Sequence, residues 1–166
     1  MLDLGSSTSG LTGLFNNSPF LGAFTAFAAA QIAKVFTHYY VERQWDFNRV
    51  VGSGGMPSSH TAFVIGLTTA VGMHDGTNSS IFAICLVLSL IVMYDASGVR
   101  LHAGRQASVL NLIISELPPD HPVQESGRLR DSLGHTPVQV FVGAVVGLIV
   151  GYLFQSTWQA RHNLTR

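Results

Sequence analysis

The sequence predicts an all-α protein: a polytopic membrane helical bundle with about four transmembrane helices and one interfacial amphipathic helix. Three observations lead there. Charged residues make up 11% of the 166 positions and hydrophobic residues 47%, whereas a soluble domain carries about 25% charged residues. Lys, Arg, Asp and Glu are absent from four long stretches, 4–33, 50–74, 76–94 and 132–160. The polar residues that remain gather near the ends of those stretches. A soluble four-helix bundle is the alternative, but helices that are apolar on every face suit lipid better than water.

The elements follow in chain order. Residues 1–18 are expected to form a flexible arm, because 4–17 is rich in Ser, Gly and Thr. No basic residue precedes Lys34, so neither a positive leader region nor an Arg-rich transit segment is visible. A single membrane-embedded domain is expected over 19–155, followed by a tail over 156–166. A span needs roughly 20 apolar residues. The first is expected over 20–41, with Pro19 in its first turn and Lys34 and His38 in its last two. The second, 59–73, is short and rich in Thr, Ala and Gly, which asks for shielding by neighbours. The third, 80–94, is apolar throughout and contains Cys85, the chain's single cysteine. The fourth, 136–154, carries Gly143, Gly147 and Gly151 at a spacing of four. Such a stripe lets another helix approach closely, either within the chain or between chains, so a homo-oligomer stays open.

Between the third and fourth spans, Val109, Leu112, Ile113 and Leu117 recur at helical spacing. That predicts an amphipathic helix on the membrane surface. Pro118, Pro119 and Pro122 then break it. Trp45, Tyr39, Tyr40, Tyr94 and Trp158 fall near span ends, where aromatic belts form.

Four spans alternate the loops. Arg43, Arg49, Arg100, Arg105, Arg128 and Arg130 then share one side, with Lys34 near it, against Arg161 and Arg166 on the other. The positive-inside rule makes the rich side cytoplasmic or stromal. A net charge of zero argues against a nucleic-acid partner. The bilayer is the expected partner. No His/Cys/carboxylate spacing reads as a metal site.

The basic side also holds Gly-Gly-Met-Pro-Ser-Ser-His at 54–60 and Leu-Gly-His-Thr-Pro at 133–137. Glycine turns free backbone N–H groups, Ser58 and Ser59 add hydroxyls, and His60 exchanges protons near neutral pH. At the start of a helix this makes an anion site; it also reads as a plain glycine turn with an N-cap serine. Lys34 inside a span is a functional candidate because intramembrane charge is expensive. Asp95, five residues before Arg100, reads as its ion-pair partner.

Pro-Ser-Ser-His, Arg100 and the run from His135 to Gly147 resemble the type-2 phosphatidic acid phosphatase and vanadium haloperoxidase superfamily. Its three motifs are Lys-x6-Arg-Pro, Pro-Ser-Gly-His and Ser-Arg-x5-His-x3-Asp. Residues 20–152 are more similar to its divergent branch of plant and bacterial membrane proteins, which carry similar segments to 54–60, 95–100, 103–107 and 133–137. The resemblance aligns Lys34 with the first motif's lysine. Arg43 follows after eight residues rather than six, without a proline; on a helix the two extra residues turn it by about 200°. Ser58 and His60 match the second motif, with Ser59 replacing glycine. Arg100 and His135 match the third motif's arginine and histidine, across a long insertion. Gln139 stands where the family has aspartate.

The resemblance implies a metal-independent and cofactor-free phosphohydrolase. His135 is its nucleophile and His60 its acid, with Lys34, Arg100, Ser58, Ser59 and Arg43 around the phosphate of a lipid or isoprenoid substrate. Gln139 orients His135 but cannot stabilise its cation. A catalytically weak protein that binds anionic headgroups or serves assembly is therefore the alternative. Halide oxidation with vanadate is a third, disfavoured because those enzymes resemble large soluble proteins. A plant member would sit in the endoplasmic reticulum or plastid membrane.

Overall fold

A computed structural model describes residues 11–43, 55–131 and 133–164. Its described residues are helices joined by turns: α1 (Leu11–Phe15), α2 (Ser18–Glu42), α3 (Ser59–His74), α4 (Ser80–Ser97), α5 (Val99–Glu116), a 3₁₀ turn (Pro122–Ser126) and α6 (Pro137–Leu164). Capping residues set the boundaries. Asn17 accepts from the Phe20 N–H, Ser58 from Thr61 and Ser79 from Phe82, each satisfying a donor the helix leaves open.

Two expected ends move. The N-terminal arm contains the short helix α1, while residues 1–10 lie outside the described residues. Helix continues to Leu164 where a tail was expected from 156. Arg49 and Trp45 also lie outside the described residues.

Three helical stretches are long and apolar enough to cross a membrane: Ser18–Tyr40, Ser80–Glu116 and Pro137–Leu164. The second is divided at Gly98, whose φ of −106° and ψ of −90° break the helix, so its apolar half is α4. The expected count of about four is met for these three. Helix α3 has 16 residues, about 24 Å of rise against a hydrocarbon core of about 30 Å. It lies at the centre of the bundle, packed on α2, α4 and α6.

Small residues hold this centre together. On α2, Ala23, Ala26 and Ala30 are fully buried, and on α3 so are Ala62 and Ala70. A Cβ on Gly66 would come within 2.8 Å of the Ala26 Cβ. Against α6 the fit is tighter still. A Cβ on Gly143, Gly147 or Gly151 would lie 2.5, 2.6 or 2.8 Å from the carbonyl oxygens of Ser58, Ala62 and Gly66. The glycine stripe thus packs within the chain, with α3 and α6 parallel and advancing four residues together. Side-chain hydrogen bonds join α3 to α4, where Ser89 meets Thr68 at 2.8 Å and donates to the Val64 carbonyl at 3.0 Å. Large apolar side chains face outward instead, among them Ile84 at 67% and Phe141 at 67% exposure. Small residues inside and large apolar ones outside is the arrangement lipid favours.

Candidate functional site

The site is built where α2 ends, α3 and α6 begin, and α4 meets α5. Each approach has a local cause. Thr37 Oγ1 donates to the Met56 carbonyl, tying the turn at 55–58 to α2. Gly55 takes a φ of +89°, the left-handed conformation that favours glycine. The Ser58 N–H donates to the Gln139 carbonyl at 3.1 Å, which joins the first turns of α3 and α6. The His135 N–H donates to the Ala96 carbonyl at 2.9 Å, fixing that loop to the end of α4.

Glycines explain the rest of the loop. Gly134 has a φ of +80°, and a Cβ there would strike the backbone of Arg100 and Leu101. A Cβ on Gly104 would come within 2.8 Å of the Asp131 and Leu133 carbonyls. The 103–107 and 133–137 segments therefore pack on each other. In this way α5 closes over the loop that carries His135, and the long insertion between Arg100 and His135 folds back on itself. Asn111 clamps Leu129 through both its amide groups at 2.9 Å, and Arg128 pairs with Asp131.

His60, Arg100 and His135 line one cavity of about 250 Å³, together with Asp95, Gly134 and the apolar Ile91. His135 is 5% exposed, and its Nε2 has no hydrogen-bond partner among the described residues. Burial pushes its imidazole down to about 4, and the charges of Lys34, His60 and Arg100 act in the same direction. His135 is therefore neutral at pH 7. Lys34 is 2% exposed and donates to Ser59 Oγ at 3.0 Å, and this pair lies behind the cavity rather than in its lining, with the Lys34 charge still acting on His135. The His60 ring stands edge-on to Phe27, with centroids 6.5 Å apart. Asp95 pairs with Arg100 through Nε, as its position in the sequence suggested.

Three expected site residues are placed differently. Ser58 is fully buried, and its hydroxyl is taken by the Thr61 N–H and hydroxyl. It is a helix cap and does not line the cavity. Arg43 ends α2 in the left-handed region (φ 57°) and lays its guanidinium over the Tyr40 ring at 5.5 Å. It too lies outside the cavity lining. Gln139 Oε1 accepts from the Thr136 N–H at 3.0 Å, and Thr136 Oγ1 accepts from the Gln139 N–H. This reciprocal cap starts α6, and no hydrogen bond joins Gln139 to His135 among the described residues. The Thr-x-x-Gln spacing before an apolar run was the signal for it. Also missed from sequence were Ile91, Val92, Ala96 and Leu133, the apolar wall of the cavity. Among the described residues no group of His, Cys, Asp and Glu is placed to hold a metal ion.

The fold and the cavity define a helical membrane protein with a polar site at one end of its bundle. The chain belongs to the Divergent PAP2 family, which it matches over residues 15–150. It is 37% identical over 155 residues to the uncharacterized membrane protein YuiD of Bacillus subtilis (strain 168), an alignment covering 85% of this chain and 98% of that protein. No solved structure matches it.

Proposed function

We propose that the cavity binds the phosphate of a membrane lipid or isoprenoid and hydrolyses its ester through His135. The observation that carries this reading is the buried, unpartnered Nε2 of His135 in a cavity shared with His60 and Arg100. A buried imidazole nitrogen without a partner is costly, and an imidazole pushed down to about 4 keeps its lone pair available at pH 7. In the proposed reaction the Nε2 lone pair forms a bond to phosphorus as the ester P–O bond breaks. His60 gives its proton to the leaving oxygen. Water then attacks the phosphohistidine and passes a proton to His60, which releases phosphate and restores His135. Arg100 and Lys34, with the Ser59 hydroxyl that Lys34 contacts, offset the negative charge of the transferring group.

A second reading rests on Gln139. Its side chain caps α6, and among the described residues no carboxylate is hydrogen-bonded to His135, Asp95 of the same cavity being paired with Arg100. The loss of a comparable charge in a serine-protease triad costs about 10⁴ in rate. On that reading the same cavity binds anionic headgroups without turnover.

One experiment separates the two. The purified protein in detergent is given phosphatidate or an isoprenyl monophosphate, and phosphate release is followed alongside ligand binding. Release abolished by His135→Ala supports hydrolysis. Saturable binding weakened by Arg100→Gln, with no release, supports the second reading. Release that survives His135→Ala eliminates the phosphohistidine route.

A further inference from the structure

The polar cavity does not end at its apolar wall. Ile91 also belongs to a groove of about 400 Å³ on the outer face of α4, lined by Ala83, Ile84, Val87, Leu88 and Ile91. We propose that this groove holds one hydrocarbon chain of a phosphate-bearing lipid, while its phosphate sits against Arg100 and His135. The inference rests on the reading of the cavity as a phosphate site.

Several observations point to this occupant. Every residue lining the groove is apolar. Ile84, Val87, Leu88 and Ile91 are 45–67% exposed, because α4 packs mainly on α3 and leaves this side uncovered. The groove and the cavity share the Ile91 side chain, so they are neighbours on α4. Their order along α4 is that of a lipid. Asp95, paired with Arg100 of α5, lies at the polar end of α4, and Ala83 lies twelve residues before Asp95, about 18 Å along the helix. That is close to half of a hydrocarbon core of about 30 Å. A lipid lying along α4 would therefore keep its ordinary depth and orientation, with its headgroup level with the histidines. A soluble phosphate ester would use the cavity and leave the groove to bulk lipid.

The test uses the full chain in nanodiscs of neutral phosphatidylcholine and measures binding of ethyl, octyl and hexadecyl phosphate. Partitioning of each probe into the disc is common to all variants, so each affinity is compared with wild type. Val87→Trp fills the groove. Leu86→Trp places the same bulk on α4 outside the groove lining and controls for folding. Val87→Trp is expected to weaken hexadecyl phosphate by about tenfold, because the chain loses its packing contacts with α4 while staying in hydrocarbon. Ethyl phosphate should stay within about twofold, and Leu86→Trp should bind as wild type. Arg100→Gln should weaken all three probes. If Val87→Trp leaves hexadecyl phosphate unchanged, or weakens ethyl phosphate equally, the groove assignment is overturned. If no probe binds saturably, or Arg100→Gln changes none, the phosphate site fails and the groove with it. Ethyl phosphate binding that depends on Arg100, without any Val87→Trp effect on the longer probes, overturns the groove alone.

Discussion

His135 shows what one side chain contributes. Its ring lies in the loop ahead of α6, pinned by its own N–H to Ala96 and closed in by Gly134 on α5. An ordinary histidine titrates near 6.5, whereas burial holds this one at about 4. The unfolded chain therefore binds the proton more readily, and its uptake favours unfolding. The contribution of His135 to stability is complete above about pH 6.5 and is lost as pH falls toward about 4. Thermal unfolding in mild detergent at pH 7.5, 5.5 and 4.5 should show a falling midpoint in the wild type. His135→Gln should flatten part of that slope. A slope unaltered by the substitution would place the sensitive group elsewhere.

Residue types were legible in the sequence, but their assignments were only partly so. Lys34, His60, Arg100 and His135 stood out because charge and imidazole are scarce in so apolar a chain. Ser58 stood out within the 54–60 run and Gln139 through the resemblance, yet hydrogen bonds at the starts of α3 and α6 take up their side chains. A serine or glutamine near a helix N-terminus serves the backbone as readily as a ligand, and only coordinates tell which.

The helical class and the order of the long helices were foreseen, because uninterrupted apolar stretches leave little choice but helix in lipid, while three of the about four expected spans are long and apolar enough to cross. Their ends shifted where capping decided them. The partner of the glycine stripe was open, since spacing alone does not say which helix approaches. It is α3, and the contact is backbone to backbone. Gly147→Ala would set a methyl 2.6 Å from the Ala62 carbonyl, and two helix backbones cannot yield locally. Overpacking of this kind costs about 1–3 kcal/mol. Gly72 provides the contrast, since a Cβ there meets side chains alone, the Phe82 ring at 3.0 Å and Thr77 Cγ2 at 3.5 Å. Gly147→Ala should lower the thermal midpoint clearly more than Gly72→Ala. Equal effects would mean that α3 and α6 are not as close as their backbones stand. Because Ser58, the cap of α3, packs on Gly143, Gly143→Ala should also disturb the first turn that carries His60.

At the scale of the whole molecule, burial and charge together predict an orientation in the membrane. Large apolar side chains cover the outside, so lipid is the solvent. Lys34, Arg43, Arg100, Arg105, Arg128 and Arg130 lie at or near the end of the bundle that carries the cavity, and Arg161 lies at the other. A cytoplasmic excess of Lys and Arg orients short loops, which predicts the cavity at the inner leaflet. Helix α3 is the shortest of the long helices, but α2 and α6 shield it from lipid, and Gln159 Nε2 donates to the Met73 carbonyl at 3.0 Å to tie its far end. A modest local thinning of the bilayer costs fractions of a kcal/mol per Å. Single cysteines at Glu42, Asn78 and Glu125, in a Cys85→Ser background, report the arrangement through an impermeant thiol reagent applied to intact bacterial cells and to inverted vesicles. Asn78→Cys should react from outside, and Glu42→Cys and Glu125→Cys from inside only. Labelling of all three from one side would mean that α3 and α4 do not cross. The reverse pattern would set the cavity at the outer leaflet, where a substrate made in the cytoplasm must first be flipped across the membrane to reach His135.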